Sequence, residues 1–304
     1  MPAHPSGEQF DITDGEQRAT IVEVGGGVRE YAVGGSAVLD PYPLDAICDG
    51  AHGAPLIPWP NRVADGRYSF DGADHRLALS EPETLNAIHG LLRWRNWGAI
   101  ERSADWVVVA TRLHPLPSWP FQLDVSIRYS LGDAGLTVET QVTNVGDGTA
   151  PFGAGQHPYL SAGGGSIDAC TVELRAGTRI LTDPSRGLPV GSEPVAGTPF
   201  DLRVPRRVGE LEIDHAFTEL ERDREGLAWV RLQRPDGATA ELWADGSYPY
   251  IQLYTGDTLA PARRRLSLAA EPMTCPANAL QSGEGIVRLA PGETHAGRWG
   301  VRLR

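Results

Sequence analysis

The sequence contains no lysine, because all 27 of its basic residues are arginine. This absence excludes chemistries that need a lysine amine, such as a Schiff base with a substrate, a lysine-anchored pyridoxal phosphate or a P-loop. Any proton transfer in an active site must therefore use histidine, aspartate, glutamate, tyrosine or cysteine.

Cysteine is scarce as well. The three cysteines, Cys48, Cys170 and Cys275, are an odd and scattered set, and they form neither a disulfide framework nor a paired metal-ligand spacing. We expect them to be small buried side chains in a reducing compartment, and a thiol nucleophile is the less favoured alternative.

Long apolar runs are also missing, and a secretory leader is not expected. The N-terminal residues lack the basic and apolar regions of a secretory signal, and no apolar run approaches the length that spans a bilayer. The sequence therefore predicts a cytoplasmic protein without a membrane partner. A net charge of −12 argues against nucleic acid and anionic membranes, and it suits a neutral ligand better than a highly anionic one.

Glycine and proline, in contrast, are abundant, with 36 and 24 residues, which is typical of many short elements joined by turns. Apolar and polar residues alternate from Phe121 to Leu131 and again from Leu136 to Val142. With the turn at Gly132–Gly135 between them, these segments predict a β-hairpin. The basic run Arg263–Arg265 is interpreted as a solvated surface turn.

Shorter strand signals recur along the whole chain, and no window of useful length favours a helical period. This pattern predicts an all-β protein, an antiparallel sandwich or a barrel. The predicted strands are Thr20–Val24, Val28–Val33, Arg67–Phe70, Trp106–Arg112, Val172–Leu174, Ala228–Gln233, Ala238–Trp243, Tyr250–Tyr254 and Ile286–Leu289.

Two candidate proton carriers share one local feature, since His157 and Glu271 each precede a proline. A residue before proline is held in extended geometry, which makes its side chain direction more definite. The glycines at 153 and 155 allow the backbone before His157 to approach other groups closely. Histidine also titrates near neutral pH, so it is suited to acid–base catalysis.

Three further polar clusters lie beside turn residues: Asn61-Arg62, His89-Gly90 and Asp214-His215. Arginine presents a rigid fork of donors that can hold hydroxyl or carboxylate oxygens. The motifs of other site classes are absent, namely His-Glu-x-x-His and His-x-His for metals, Gly-x-Ser-x-Gly for hydrolases and Gly-x-Gly-x-x-Gly for dinucleotides.

Taken in order from about Gly53 to Ala279, these clusters resemble the aldose 1-epimerase (galactose mutarotase) family. The resemblance implies a large antiparallel β-sandwich, the galactose mutarotase-like supersandwich, and we expect residues 1–304 to form one such domain. The motifs that carry it are Pro60-Asn61-Arg62-Val63, Asn86-Ala-Ile-His89-Gly90, Gln156-His157-Pro158-Tyr159, Asp214-His215-Ala-Phe217 and Glu271-Pro-Met-Thr-Cys-Pro276.

The resemblance also implies a function, the interconversion of the α and β anomers of a free aldohexose. By this resemblance Glu271 is the general base and His157 the general acid. No metal and no cofactor is expected, and the partner is a small sugar bound by a monomer or a homodimer. The substrate-binding residues implied are Asn61, Arg62, His89, Tyr159 and Asp214.

Two departures from the family pattern leave the sugar open: Asn278 stands where an aspartate is common, and His157 is followed by proline instead of threonine or serine. A hexose-6-phosphate 1-epimerase is an alternative, for which Arg93 and Arg95 are candidate phosphate ligands. A non-catalytic sugar-binding domain on the same scaffold and a metal-dependent β-barrel isomerase are further alternatives.

Overall fold

The computed structural model describes residues 4–304, which form 27 strands and one short α-helix, α1 (Ala279–Ser282). Single 3₁₀ turns lie at Pro82–Thr84 and Ile167–Ala169. The strands are β1 (Gln9–Asp14), β2 (Gln17–Val22), β3 (Val28–Val33), β4 (Ser36–Leu39), β5 (Pro55–Leu56), β6 (Arg62–Ala64), β7 (Arg67–Phe70), β8 (Ala73–Arg76), β9 (Asn86–Ile88), β10 (Gly98–Arg102), β11 (Trp106–Leu113), β12 (Leu123–Gly132), β13 (Gly135–Asn144), β14 (Ala150–Phe152), β15 (Gly155–Gln156), β16 (Tyr159–Ser161), β17 (Thr171–Leu174), β18 (Ala176–Thr182), β19 (Pro189–Pro194), β20 (Arg206–Arg207), β21 (Asp214–Leu220), β22 (Ala228–Gln233), β23 (Thr239–Ala244), β24 (Tyr250–Tyr254), β25 (Ser267–Met273), β26 (Val287–Leu289) and β27 (Thr294–Leu303).

Most strands belong to two antiparallel sheets, which confirms the predicted β-sandwich. The first sheet has the order β1-β2-β3-β4-β16-β25-β24-β21-β18-β19, with β15 joined to β25 and β5 joined to β15. The second has the order β10-β11-β12-β13-β27-β23-β22-β17-β20. Buried side chains of both sheets form one continuous apolar cluster between them.

The predicted hairpin is confirmed as β12 and β13, which pair from Leu123↔Asn144 to Gly132↔Gly135. Four of the nine short predicted strands match the structure at both ends: β3, β7, β22 and β24. Strand β25 was not predicted, because all seven of its residues are buried and no polar alternation marks it.

The alternation of side chains along β25 places the candidate site on the outer face of the first sheet. Leu268 and Ala270 belong to the central apolar cluster, so Glu271, the residue after Ala270, points to the opposite face. Gln252 in β24 and Tyr159 in β16 follow the same alternation. Neighbouring strands therefore deliver their polar side chains to one surface.

Several expectations about single residues can be compared with the fold. The three cysteines are free thiols, and Cys170 and Cys275 are buried as expected. The expectation of a solvated turn is wrong for Arg263, which is mostly buried and pairs with Asp40 at 2.8 Å. No helix within residues 4–304 has the length and apolar character needed to cross a membrane.

Candidate active site

A cleft of about 260 Å³ opens on the outer face of the first sheet. Strands β16, β21, β24 and β25 form its floor, and the segment around β6 and β9 forms a wall. The structure brings together every residue that the sequence predicted for the site: Asn61, Arg62, His89, His157, Tyr159, Asp214 and Glu271 all line this cleft.

His157 and Glu271 face each other at the bottom of the cleft. His157 Nε2 lies 3.3 Å from Glu271 Oε1, and both side chains are almost fully buried. Their other polar atoms, His157 Nδ1 and Glu271 Oε2, are enclosed and have no hydrogen-bond partner in residues 4–304. The facing atoms Nε2 and Oε1 are therefore the ones available to a ligand.

The burial of this pair determines where its protons reside. Burial lowers the pKa of His157 to about 3, and the nearby His52 and Arg93 act in the same direction. Burial raises the pKa of Glu271 well above its usual range, with a further increase from the charge of Asp214. Burial therefore disfavours the charged form of each group, and a proton that moves across the 3.3 Å between Nε2 and Oε1 interconverts a neutral pair and an ion pair.

The His157 ring is held in place by an aromatic stack. Its ring lies 4.9 Å from that of Tyr159 at 16°, and Tyr159 in turn stacks on His52 at 3.8 Å and 7°. The Tyr159 hydroxyl donates a hydrogen bond to the Gly50 carbonyl at 2.8 Å, which anchors the middle of the stack. His52 is itself fixed by a 3.1 Å contact between its Nε2 and Asp40. These contacts limit the rotation of His157.

The backbone before His157 is held by close packing around its glycines. Gly155 pairs with β5 at Leu56 and with β25 at Met273. A Cβ at Gly153 would lie only 2.5 Å from Cys275 Sγ. The expected close approach at 153 and 155 is thus confirmed, and it brings His157 against the strand that carries Glu271.

The tautomer of His89 is set by the backbone of Asn61. The Asn61 N–H donates to His89 Nδ1 at 3.2 Å, and the His89 N–H donates to the Asn61 carbonyl at 3.0 Å. Because Nδ1 accepts this bond, the ring carries its proton on Nε2 and is a donor there. Burial and the neighbouring His157 keep the pKa of His89 well below its usual value, so the ring is neutral.

Arg62 reaches the cleft through a rigid pair with Glu81. Its Nε and one terminal nitrogen donate to the two Glu81 oxygens at 2.8 and 3.0 Å. Thr84 and Asn86 donate further hydrogen bonds to the same carboxylate. These donors keep the pKa of Glu81 below its usual value although burial acts in the opposite direction. The guanidinium of Arg62 is therefore fixed in one orientation.

Asp214 lines the cleft from the first residue of β21. Gln252 Nε2 donates to its Oδ1 at 2.6 Å, so an amide from β24 orients the carboxylate. Asp214 is open to solvent through the cleft mouth. The surrounding walls nevertheless remove water from its carboxyl, and this desolvation raises its pKa while Arg62 opposes the shift.

Asn278 stands where an aspartate is common in the family. It does not line the cleft but supports the wall that carries Arg62. Its side-chain oxygen accepts a hydrogen bond from the Ala64 N–H at 3.0 Å, and its N–H donates to the Arg62 carbonyl at 2.6 Å. An amide oxygen serves this backbone contact as a carboxylate would. The substitution is thus compatible with an ordered Arg62.

Gln252 and Glu81 line the cleft but were not among the predicted site residues, because their positions depend on tertiary structure. Gln252 is adjacent to Glu271 only through the pairing of β24 with β25, and Glu81 is identified only by its contact with Arg62. Arg93, a candidate phosphate ligand, lines the cleft, whereas Arg95 does not. One sequence signal could have indicated the pairing of β24 with β25. Gln252 and Glu271 are polar residues that each lie within a strongly apolar segment.

No group of three or more histidine, cysteine, aspartate or glutamate side chains in residues 4–304 is arranged to hold a metal ion. The polar groups in the cleft instead form pairs: an imidazole with a carboxylate, a guanidinium with a carboxylate, and an amide with a carboxylate. Such an arrangement can bind hydroxyl groups and transfer protons between neighbouring oxygens.

The two large antiparallel sheets and the cleft on the outer face of one of them define the galactose mutarotase-like class of β-sandwich proteins. The chain belongs to the aldose 1-epimerase family, whose model matches residues 8–302. Its family membership agrees with the resemblance seen in the sequence.

Individual relatives differ in what is known of them. The uncharacterized protein YihR of Escherichia coli is 33% identical over 96% of this chain and 92% of its own length. Galactose mutarotase of Sus scrofa is 30% identical over 66% of this chain, and the match spans 60% of that enzyme.

Solved structures show the same fold at lower identity. An aldose epimerase homologue from C. elegans superimposes with a TM-score of 0.87, at 17% identity and 98% coverage of both chains. A putative aldose 1-epimerase from Escherichia coli gives 0.83 at 20% identity, covering 98% of this chain and 99% of its own.

Proposed function

We propose that this protein is an aldose 1-epimerase that interconverts the α and β anomers of an aldohexose through ring opening and closure. The observation that supports it most is the contact of His157 with Glu271 at 3.3 Å inside a polar cleft. The ring oxygen and the anomeric hydroxyl of a sugar are bonded to the same carbon. An acid and a base that serve these two oxygens must lie side by side, as this pair does.

In the proposed reaction the pair begins as an ion pair. Glu271 removes the proton from the anomeric hydroxyl while His157 donates its proton to the ring oxygen. The bond between the anomeric carbon and the ring oxygen breaks, and its electrons remain on the oxygen as a hydroxyl forms. The anomeric carbon becomes an aldehyde. After rotation of the carbonyl group, the hydroxyl adds to its other face and both protons return.

The proton count of the pair suits this cycle. His157 and Glu271 hold one proton between them before ring opening and one proton after it. No net proton transfer to solvent is therefore required. In the empty cleft burial favours the neutral pair. Hydroxyl donors at Glu271 and an oxygen acceptor at His157 would stabilise the charged pair, because hydrogen bonds to the charged forms favour them.

The remaining cleft residues would bind and orient the sugar. The Nε2–H of His89 and the guanidinium of Arg62 are donors held in fixed directions, and Asp214 with Gln252 offers an acceptor and a donor for hydroxyls. Tyr159 would act mainly through its stack on His157. Fixed polar groups of this kind lower the entropic cost of reaching the reactive geometry.

The test is anomer exchange measured by NMR magnetisation transfer on a panel of free aldoses. We expect exchange well above the buffer rate for at least one sugar, and a loss of about 10²–10⁴-fold in Glu271→Gln and in His157→Asn, since each removes one proton carrier. His114→Asn is the matched control, because His114 also precedes a proline but is solvent-exposed and outside the cleft.

Other outcomes identify the alternatives. Sugar binding without any exchange in the native protein would favour a non-catalytic binding domain. Conversion of aldose to ketose would favour an isomerase of a different type. Near-normal exchange in Glu271→Gln or His157→Asn would mean that the acid and base are assigned to the wrong residues.

A further inference from the structure

Arg93 is a cation in the cleft without a protein partner. Two arginines line the cleft, and Arg62 is neutralised by Glu81 through two hydrogen bonds. Arg93 is partly buried but forms no ion pair and donates no hydrogen bond within residues 4–304. Its guanidinium only rests 5.2 Å from the ring of Trp94. Burying an unpaired charge is unfavourable, and no side-chain hydrogen bond or ion pair within residues 4–304 offsets this cost for Arg93.

The turn that carries Arg93 is rigid. The Arg95 N–H donates to the Leu92 carbonyl at 3.1 Å, and the Gly25 N–H donates to the Arg95 carbonyl at 2.8 Å. The carbonyl of Arg93 packs so tightly on Gly25 that a Cβ there would lie 2.6 Å away. Leu92 and Trp97, at either end of the turn, are buried. Arg93 is therefore presented to the cleft from a fixed backbone.

Arg93 lies on the histidine side of the cleft, because it lines the cleft from the segment that follows His89, whose ring lies 5.3 Å from that of His157. Its positive charge contributes to the lowered pKa values of both His89 and His157. Asp214 instead acts on Glu271, whose pKa it raises. In the proposed reaction His157 serves the ring oxygen. The ring oxygen of an aldohexopyranose is bonded to the carbon that bears the exocyclic carbon, so Arg93 lies on the side where that substituent projects.

We propose that the sugar substrate carries a single negative charge on its exocyclic carbon, as a carboxylate or a sulfonate, and that Arg93 binds it. The inference rests on the proposed function, because the orientation of the sugar follows from the role of His157. A planar guanidinium with free donors binds such oxyanions through paired hydrogen bonds.

The charges in the cleft favour a monoanion over a phosphate dianion. Arg62 is paired with Glu81, and in the proposed reaction His157 and Glu271 hold one proton between them. Asp214 and Arg93 are the remaining charged groups of the cleft lining. A monoanion neutralises Arg93, whereas a dianion leaves an excess negative charge in a cleft that already contains Asp214. The second arginine that a phosphate site was expected to use, Arg95, lies outside the cleft.

The experiment compares four sugars that differ at the exocyclic carbon: glucose, glucuronate, 6-deoxy-6-sulfoglucose and glucose 6-phosphate. We expect kcat/KM for anomer exchange to be at least about 10-fold higher for one monoanionic sugar than for glucose and for the phosphate. In Arg93→Gln this preference over glucose should fall by about 10–100-fold, the usual range for a hydrogen bond to a charged group. Arg95→Gln, on the same turn, is the matched control and should retain it.

A binding measurement separates this inference from the reaction itself. Calorimetric titration of the Glu271→Gln variant with the same four sugars does not depend on turnover. Tighter binding of a monoanionic sugar that is lost in the Arg93→Gln/Glu271→Gln double variant supports the inference even if no sugar is interconverted. Equal binding of glucose and the charged sugars, or an equal effect of Arg93→Gln on all four, would overturn it. A preference for the phosphate would overturn the choice of a monoanion.

Discussion

At the scale of single residues, the cleft shows how a backbone contact can determine the chemistry of a side chain. Asn61 and His89 both have positive φ angles, 54° and 62°, and the His89 N–H donates to the Asn61 carbonyl. The Asn61 N–H then occupies His89 Nδ1. His89 is left with one possible role toward a ligand, that of a neutral donor through Nε2.

This assignment predicts the NMR behaviour of His89. In protein with ¹⁵N-labelled histidine, Nε2 of His89 should be protonated and Nδ1 unprotonated, with no change from pH 8 to pH 5.5, because burial holds its pKa well below 6.5. His89→Asn identifies the signals. A titration of both ring nitrogens with a midpoint near 6.5 would contradict the assignment.

The sequence predicted the two proposed proton carriers but not the residues that hold them in place. His157 and Glu271 could be recognised because each is a titratable residue before a proline within an ordered set of motifs. Glu81 and His52 could not, since their roles depend on contacts with residues 19 positions and more than 100 positions away along the chain. Arg93 was identifiable as a cation, but its lack of a partner was visible only in three dimensions.

At the scale of elements, the site depends on the alternation of β24 and β25. Gln252 pairs with Glu271 across these strands, so the two side chains point to the same face. Strand β24 was predictable from its composition. Strand β25 was not, because both of its faces are covered and Pro272 weakens the strand signal.

The loop between β14 and β15 allows a test of how closely the His157 segment packs. Gly153→Ala should destabilise the protein by about 1–3 kcal/mol, because its Cβ would lie 2.5 Å from Cys275 Sγ. Cys275→Ala removes the obstructing sulfur. The double variant should therefore be more stable than the sum of the single effects predicts, as measured by urea unfolding.

Gly165→Ala is the control for that cycle, since a Cβ at this position meets no atom within 4 Å. Its effect on the free energy of unfolding should stay within about 0.5 kcal/mol. Strict additivity of the Gly153 and Cys275 variants would show that the clash is relieved by movement elsewhere in the loop.

At the scale of the whole molecule, two expectations stay predictions: that residues 1–304 form one domain and that the protein is cytoplasmic. The predicted sandwich itself is confirmed, and the reason is physical. In strands with one covered face, such as β12, apolar and polar residues alternate along the sequence. The order in which the strands pair depends on contacts between distant segments, and local patterns do not encode it.

Buried histidines give the whole molecule a predictable response to acid. Four histidines have pKa values below the ordinary value in the folded protein, so between pH 7 and pH 5 the unfolded chain binds protons that the folded protein does not. Taken alone, these histidines lower the stability as the pH falls through this range, because the unfolded state binds more protons. The four are His89, His157, His215 and His295.

Two carboxyl groups oppose this trend. The pKa values of Glu271 and Asp214 are raised, so their contribution to stability grows as the pH falls. Glu81 and Glu241 have lowered pKa values, and their contribution is lost only near and below pH 4.5. Between pH 5 and pH 6.5, the four histidines gain more protons on unfolding than the two carboxyl groups with raised pKa values lose. Unfolding in this range is therefore accompanied by a net uptake of protons.

The expected result is a decrease of about 2 kcal/mol in the free energy of unfolding from pH 7 to pH 5, at about 1.4 kcal/mol per proton and pH unit. Urea unfolding at constant ionic strength measures it. His215→Asn should reduce the slope, because the pKa of His215 lies at about 4 in the folded protein and the residue is outside the cleft lining. A stability that is constant or rises toward pH 5 would show that the raised carboxyls outweigh the histidines.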